Sequence, residues 1–413
     1  MITTSRSPPG NLKHYNKLMP NTDRMEKKLL AEQATLFFEK CYNEKPGGIF
    51  LSPGRINIIG EHVDYNDGFV LPAAIDKYVC IAITENPNSQ CIIVSKDLDE
   101  RFEFDLEKPL KPVNQMWANY FLGVIQQMIV RNLKVKGFKA IFTSTVPIGS
   151  GLSSSAAVEC AFAYALNEIN NLGLDKKELA LIGQKAEHTF VGVMCGIMDQ
   201  FASVFGKKDK VIKLDCNTLE YEYHNADFKQ YALLLLDSHV KHTNLTSGYN
   251  TRRQEVEKGL SIIKQKFPDV KTFRDCTTEH VLAVREQLGD VIFERCHFVV
   301  KEINRVLVAV DALEKSDFAT LGKLMFETHD GLSDEYEVSC DETDFLVDSV
   351  RNDTRVLGAR MMGGGFGGCR FNLVENNYED ELINRITKEY RQKFDIELKP
   401  YKIKISDGAS RYQ

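Results

Sequence analysis

The sequence predicts a mixed α and β protein of two or three domains, and three observations carry that expectation. The chain has 413 residues, against roughly 100–200 residues per domain. Strand, loop and apolar helix follow one another between residues 141 and 169. A helix-rich stretch from about Arg252 to Phe345 is followed by strand-like segments near the C-terminus.

Each element has its own signal. Leu29, Leu30, Ala34, Leu36, Phe37 and Phe38 recur at helical spacing from Met25 onward, on a Glu/Lys-rich background, which is the mark of an amphipathic helix. The residues before it hold Pro8, Pro9 and Pro20 without the apolar core of a secretory signal, so 1–24 are expected to be a loose, disordered extension and Met25 the natural start. Ile49–Ile59 reads as a strand, and Asn66-Asp67-Gly68 is a turn into a second run, Phe69–Leu71. Ile141–Thr143 leads through a Pro/Gly/Ser loop into a helix over Ala156–Ile169. Leu233–Leu236 is a strand, a charged helix follows from about Arg252, and Cys369–Val374 and the alternating Tyr401, Ile403 and Ile405 close the chain as strands. The texture changes near 220–230, which puts the expected boundary between a domain over 25–225 and one over 226–413.

Composition excludes classes without selecting a function. Hydrophobic residues make up 43% and charged residues 27%, which argues against disorder and low complexity. With 52 Lys+Arg against 58 Asp+Glu the net charge is −6, so no general field favours nucleic acid or an anionic membrane. An anionic ligand therefore needs a local device. The ten cysteines form no CxxC pair, as expected of reduced thiols in a cytoplasmic protein. His239 and His242 are close in sequence, but no further ligands join them at the spacing of a zinc site. The longest aliphatic stretch, Ala232–Leu236, is far below the ~18–20 residues of a membrane span.

Three glycine-bearing motifs could supply that device. Val146-Pro-Ile-Gly149-Ser150-Gly151-Leu152-Ser153-Ser154-Ser155-Ala-Ala157 places glycines and serines at a helix N-terminus. Its backbone N–H groups and about half a positive charge suit phosphate. It lacks the lysine of a Walker loop and the third glycine of GxGxxG, and a serine-capped helix after a tight turn is the other reading. In Gly54-Arg55-Ile-Asn57-Ile-Ile-Gly60-Glu61-His62-Val-Asp64-Tyr65-Asn-Asp67-Gly68, Glu61, His62 and Asp64 suit a small polyhydroxylated ligand and Arg55 matches phosphate. Asp67 reads as a solvated turn residue. Gly358-Ala-Arg360-Met-Met-Gly363-Gly-Gly-Phe366-Gly367-Gly368 spends backbone entropy on glycine, which implies close backbone approach or motion. Between them, Glu187-His188 through Cys195-Gly196-Ile-Met-Asp199-Gln200 sets an aspartate among apolar neighbours.

In this order and at these separations, the four segments resemble the galactokinase branch of the GHMP small-molecule kinases, over about Phe50 to Cys369 and beyond. The resemblance implies an α/β N-terminal domain, an α+β C-terminal domain and an active site in the interdomain cleft. It implies ATP-dependent phosphorylation of α-D-galactose at its anomeric hydroxyl, with Mg²⁺. By position Glu61, His62, Asp64, Gly196, Asp199 and Tyr249 match sugar contacts, and Gly149, Ser150, Gly151, Leu152, Ser153, Ser154 and Ser155 the phosphate loop. Ser155 and Glu187 match magnesium ligands, and Trp117 an aromatic near adenine, though a lone tryptophan is also a common core residue. Asp199 is the candidate carboxylate that orients or deprotonates the nucleophile, and Arg55 the positive charge beside it and the transferring group. A monomer acting on small molecules in the cytoplasm, without nucleic acid or membrane, is the expected setting. A kinase of N-acetylgalactosamine or another hexose, a non-catalytic sugar and ATP sensor, and a nucleotide-dependent oxidoreductase are the alternatives.

Overall fold

Side-chain alternation along a few strands builds the larger half of the molecule. The computed structural model describes residues 22–228, 230–241 and 245–413. Its first sheet runs in the order β13 (Ser410–Arg411), β1 (Gly48–Asn57), β3 (Pro72–Glu85), β6 (Phe138–Ser144), β4 (Gln90–Ser95) and β5 (Glu100–Asp105), antiparallel throughout except for β4 beside β6. On β3 the odd residues Val79, Ile81 and Ile83 join the main core, while Tyr78, Cys80 and Ala82 point the other way, as a period of two requires. The second set is covered by α1 (Thr22–Tyr42) through Leu30, Ala34 and Phe38. The first set faces α2 (Met116–Val130), α3 (Ser154–Asn170), α4 (Lys176–Ala186) and α5 (Met198–Phe205).

The second half is built around four antiparallel strands in the order β10 (Val356–Met361), β11 (Gly367–Glu375), β9 (Tyr231–Lys241) and β12 (Lys399–Ile403). The unbroken run Leu233–Leu236 on β9 has a physical reason: both faces of the strand are covered. Leu234 and Leu236 pack with α10 (Asp341–Asp348) and α11 (Glu379–Phe394), whereas Leu233 and Leu235 join the main core with α8 (Arg285–Glu314) and α9 (Phe318–Asp330). The helices α6 (Leu245–Lys266) and α7 (Thr278–Leu282) pack on α8. A small third sheet, β2 (Phe69–Val70), β7 (Lys210–Asp215) and β8 (Tyr221–Asn225), starts directly after the Gly54–Gly68 motif.

Several elements differ from expectation. Helix α1 starts at Thr22, three residues before Met25, with Asp23 hydrogen-bonded to the Tyr78 hydroxyl of β3. The remainder of the expected extension, residues 1–21, lies outside the described residues, as does His242. Helix α6 begins at Leu245, earlier than the charged run that signals it. Ile405 lies beyond β12 and bridges to Ile75. Strand β13 returns from the C-terminus to pair with β1, so the first sheet is not closed by residues 25–225 alone. Among the described residues no helix is long and apolar enough to cross a membrane, and none of the ten cysteines is disulfide-bonded.

Candidate active site

A cleft of about 260 Å³ lies where the two halves meet. It is lined by Arg55, Glu61, His62 and Asp64 from the first motif, Gly149, Gly151 and Ser155 from the loop before α3, and Glu187, Cys195, Met198 and Asp199 around the start of α5. Tyr249 of α6 and the glycine segment from Met362 to Gly368 close it. Segments far apart in sequence thus converge on one space.

Asp199 is held by two neighbouring side chains, Arg55 and Ser153. Arg55, 3% exposed, donates from Nε to the Asp199 Oδ1 at 2.8 Å, and Nη2 makes an ion pair with the same oxygen at 2.8 Å. The Ser153 hydroxyl donates to Oδ2 at 2.5 Å. The third Arg55 donor, Nη1, reaches the Gly151 carbonyl at 2.5 Å, so one guanidinium joins the carboxylate to the loop. Ser153 precedes α3 in a left-handed conformation (φ 57°) and makes no side-chain cap to the helix. This corrects the serine-cap reading for that residue: its hydroxyl is spent on Asp199.

The loop and the glycine-rich segment explain each other. Gly149 (φ 74°) and Gly151 (φ 77°) bend the loop, and a Cβ on Gly151 would meet the Met362 carbonyl at 2.8 Å. Cys369 N donates to Ser150 O at 2.8 Å, while a Cβ on Gly368 would lie 3.0 Å from that same oxygen. Close backbone approach is therefore what the glycines serve. Within the loop, the Ser150 hydroxyl turns to Pro147 O at 2.8 Å and Leu152 is buried in the core, so neither side chain lines the cleft. Ser154 is the first residue of α3.

The polar wall opposite is fixed from behind. Glu61 Oε1 accepts from Arg360 Nη2 at 3.0 Å and from Gly363 N at 2.9 Å. His62 adopts φ 60°, has its Nδ1 2.8 Å from the Tyr65 hydroxyl, and leaves a buried Nε2 without a protein partner. Burial and the nearby Arg252 push its pKa down to about 3, so the ring is neutral. The Tyr249 ring stands 5.4 Å from His62 and 5.2 Å from Tyr65. Asp64 is pushed up to about 7 by burial and by the charges of Asp199 and Glu61. Gly196 lies against it: a Cβ there would land on the Asp64 carboxylate. Glu187 is likewise pushed up to about 7 by burial and Asp199, with a Ser155 hydrogen bond partly offsetting the rise.

Trp117 is not part of this lining. It packs 5.3 Å from Phe142 and 5.9 Å from Phe121, and its Nε1 donates to Glu100 Oε2 at 2.5 Å. Sequence reasoning overlooked the role of Arg360. Fully buried, it donates to Glu61 and to the carbonyls of Asn57, Ile58 and Met361. The available signal was a guanidinium set between Ala359 and Met361-Met362, where a charge needs several buried acceptors.

A glycine-bent loop feeds the N-terminus of α3 and is pressed against a second glycine segment, and the domains that carry them are those of the GHMP small-molecule kinases. Family descriptions agree: GHMP kinases N terminal domain matches residues 119–207, GHMP kinases C terminal matches 309–392, and the galactokinase galactose-binding signature matches 36–85. The chain is 45% identical to a galactokinase of Thermotoga maritima, over 87% of its own length and 99% of the relative's. It is similar to the crystal structure of Lactococcus lactis galactokinase complexed with galactose, at a TM-score of 0.88 and 32% identity, covering 92% of this chain and 98% of that one. A mevalonate kinase structure shares the fold at a TM-score of 0.59 and 21% identity, over 87% and 99% of the two chains. The chain belongs to the galactokinase family.

Proposed function

We propose that the protein transfers the γ-phosphoryl group of ATP to the C1 hydroxyl of α-D-galactose, giving α-D-galactose 1-phosphate and ADP, the first committed step of galactose breakdown by the Leloir route. One observation carries this reading: Asp199, held by Arg55 and Ser153, shares a cleft with the Glu61, His62 and Asp64 cluster and with the loop before α3. Phosphoryl transfer asks a protein mainly for positioning and for positive charge near the phosphoryl oxygens. Glu61 and Asp64 accept from sugar hydroxyls, the neutral His62 offers its free Nε2, and Tyr249 walls the pocket. The C1 hydroxyl donates to Asp199, which takes the proton as the O–P bond forms. Arg55 keeps the carboxylate in place and lends charge to the transferring group. Loop N–H groups and the α3 terminus receive the phosphates.

The residues around Ser155 suit a magnesium ion, since the Ser155 hydroxyl and the Glu187 carboxylate are hard oxygen donors on one side of the cleft. Bound there, Mg²⁺ would neutralise charge on the β- and γ-phosphate oxygens. The unpaired state of all ten cysteines supports a reducing, cytoplasmic setting, and we propose a monomer as the working form.

A coupled ADP-release assay tests the substrate. Turnover is expected with galactose and Mg-ATP, and a higher kcat/KM for N-acetylgalactosamine would transfer the reading to that sugar. The variant Asp199→Ala is expected to keep its circular dichroism and ATP binding while kcat falls ~10²–10⁴-fold, the usual range for losing a general base. A near-normal kcat would remove Asp199 from the mechanism.

A further inference from the structure

The residue after Asp199 has a task of its own. Gln200 is wholly buried, and its Nε2 donates to Glu187 Oε2 at 3.0 Å and to Glu159 Oε2 at 3.0 Å. One amide nitrogen therefore bridges two buried carboxyl groups. The same Glu187 oxygen also accepts from Cys195 Sγ at 3.4 Å. Oε2 of Glu187 is thus committed to two protein donors.

We propose that Gln200, anchored by Glu159, is a positioning residue for Glu187: it ties Oε2 to the protein and so presents Oε1 to the cation. This rests on the reading of Glu187 and Ser155 as magnesium ligands. A group hydrogen-bonded behind a metal's ligand fixes that ligand's orientation without touching the ion.

Three further features support the assignment. The Gln200 side chain has no room to swing, because a Cβ on Gly183 of α4 would already lie 3.0 Å from its Cγ and 3.4 Å from Glu159 Cβ. Its neutrality matters as well. A lysine or arginine in this place would hold Glu187 equally well but would cancel the charge that attracts the cation, whereas an amide gives direction and leaves that charge available. Finally, Glu159 sits four residues after Ser155 on α3, so the anchor and one proposed ligand ride on a single rigid helix. Burial and the Glu187 charge push the Glu159 carboxyl well above the usual range. Its Oε1 and the Gln200 Oε1 are buried without a hydrogen-bond partner, so the contact between the two side chains runs through the Gln200 Nε2 alone.

The first turn of α5 thus carries two adjacent functions, Asp199 toward the sugar hydroxyl and Gln200 toward the cation ligand. The test separates them. Binding of Mn²⁺ to the full-length protein with a non-hydrolysable ATP analogue is followed by electron paramagnetic resonance, alongside the Mg²⁺ dependence of turnover and galactose binding by calorimetry. Gln200→Leu is expected to weaken Mn²⁺ binding and raise the Mg²⁺ requirement ~10–100-fold, the usual cost of losing an outer-shell partner, with galactose affinity within about twofold of wild type. Glu159→Leu, which removes the anchor alone, is expected to reproduce part of that loss, and Glu159→Gln to restore it. Glu187→Gln is the control for the underlying reading. Wild-type Mn²⁺ affinity in Gln200→Leu, beside a clear loss in Glu187→Gln, overturns the positioning role and leaves the ligand assignment standing. Unchanged affinity in Glu187→Gln overturns the ligand assignment itself. If Gln200→Leu does not fold, Glu159→Leu decides the matter, and wild-type affinity there rejects the proposal.

Discussion

Ionising Asp64 places a negative charge beside Asp199 and Glu61 in a partly dehydrated cleft, which is why its pKa is pushed up to about 7 from 3.8. The consequence for stability has a definite sign. Between those two values the folded state holds a proton that the unfolded state has lost, so stability falls as pH rises through about 7. Asn at this position carries no such charge. Asp64→Asn is therefore expected to have the higher melting temperature at pH 8, and the gap to wild type should close as pH falls toward 4. Melting curves from pH 4 to 8.5 read this directly, and a gap independent of pH would contradict the electrostatic origin. Galactose should bind the variant more weakly, because an acceptor with two oxygens is replaced by one that also donates.

At the scale of elements, the segments rich in local signal were legible in the sequence and those assembled at long range were not. The alternation around Ile56 and Ile58 located β1, the apolar run located α3, and the glycine density of 358–368 pointed to close approach. In each case the cause lies within about a dozen residues. The pairing of β7 with β2 and the return of β13 to β1 depend on partners distant in sequence, and no local pattern encodes a partner. The hydroxyl of Ser153 illustrates the limit well. Its position before a helix favours a cap, yet Asp199, 46 positions later, competes for it and wins. The loop contact itself yields a prediction. Gly368 has φ 75° and faces Ser150 O, so Gly368→Ala costs ~1–2 kcal/mol from the left-handed backbone alone and also pushes on the loop before α3, the proposed phosphate site. The expected outcome is a lowered melting temperature with a raised KM for ATP, while KM for galactose stays near wild type. An unchanged KM for ATP would show that the loop position does not depend on this packing.

For the whole molecule, the question is what holds the two halves in register across the cleft, and a few buried polar contacts answer it. Gly60 N donates to Glu302 Oε1 of α8 at 2.8 Å, which ties the signature segment to the helical half. Arg360 of β10 donates to the Asn57 and Ile58 carbonyls at the end of β1 and to Glu61. Both contacts converge on the same few residues, so the geometry of the polar wall proposed to hold the sugar and the docking of the halves are one structural problem. Arg360→Met tests it. The substitution keeps most of the stem's volume but leaves a buried carboxylate and three carbonyls short of donors, and breaking a buried pair from one side costs ~3–5 kcal/mol. Since Glu61 retains only the Gly363 N–H, its carboxylate should also lose its fixed orientation. We expect a urea midpoint well below wild type and, under conditions where the variant is folded, a KM for galactose raised roughly tenfold, ~1.4 kcal/mol, with KM for ATP much less affected. Arg360→Lys retains the charge without the planar fork and should fall between the two. A variant with wild-type stability would place the register of the halves in the apolar core instead, and a selective rise in KM for ATP would mean that Arg360 serves the glycine segment rather than Glu61.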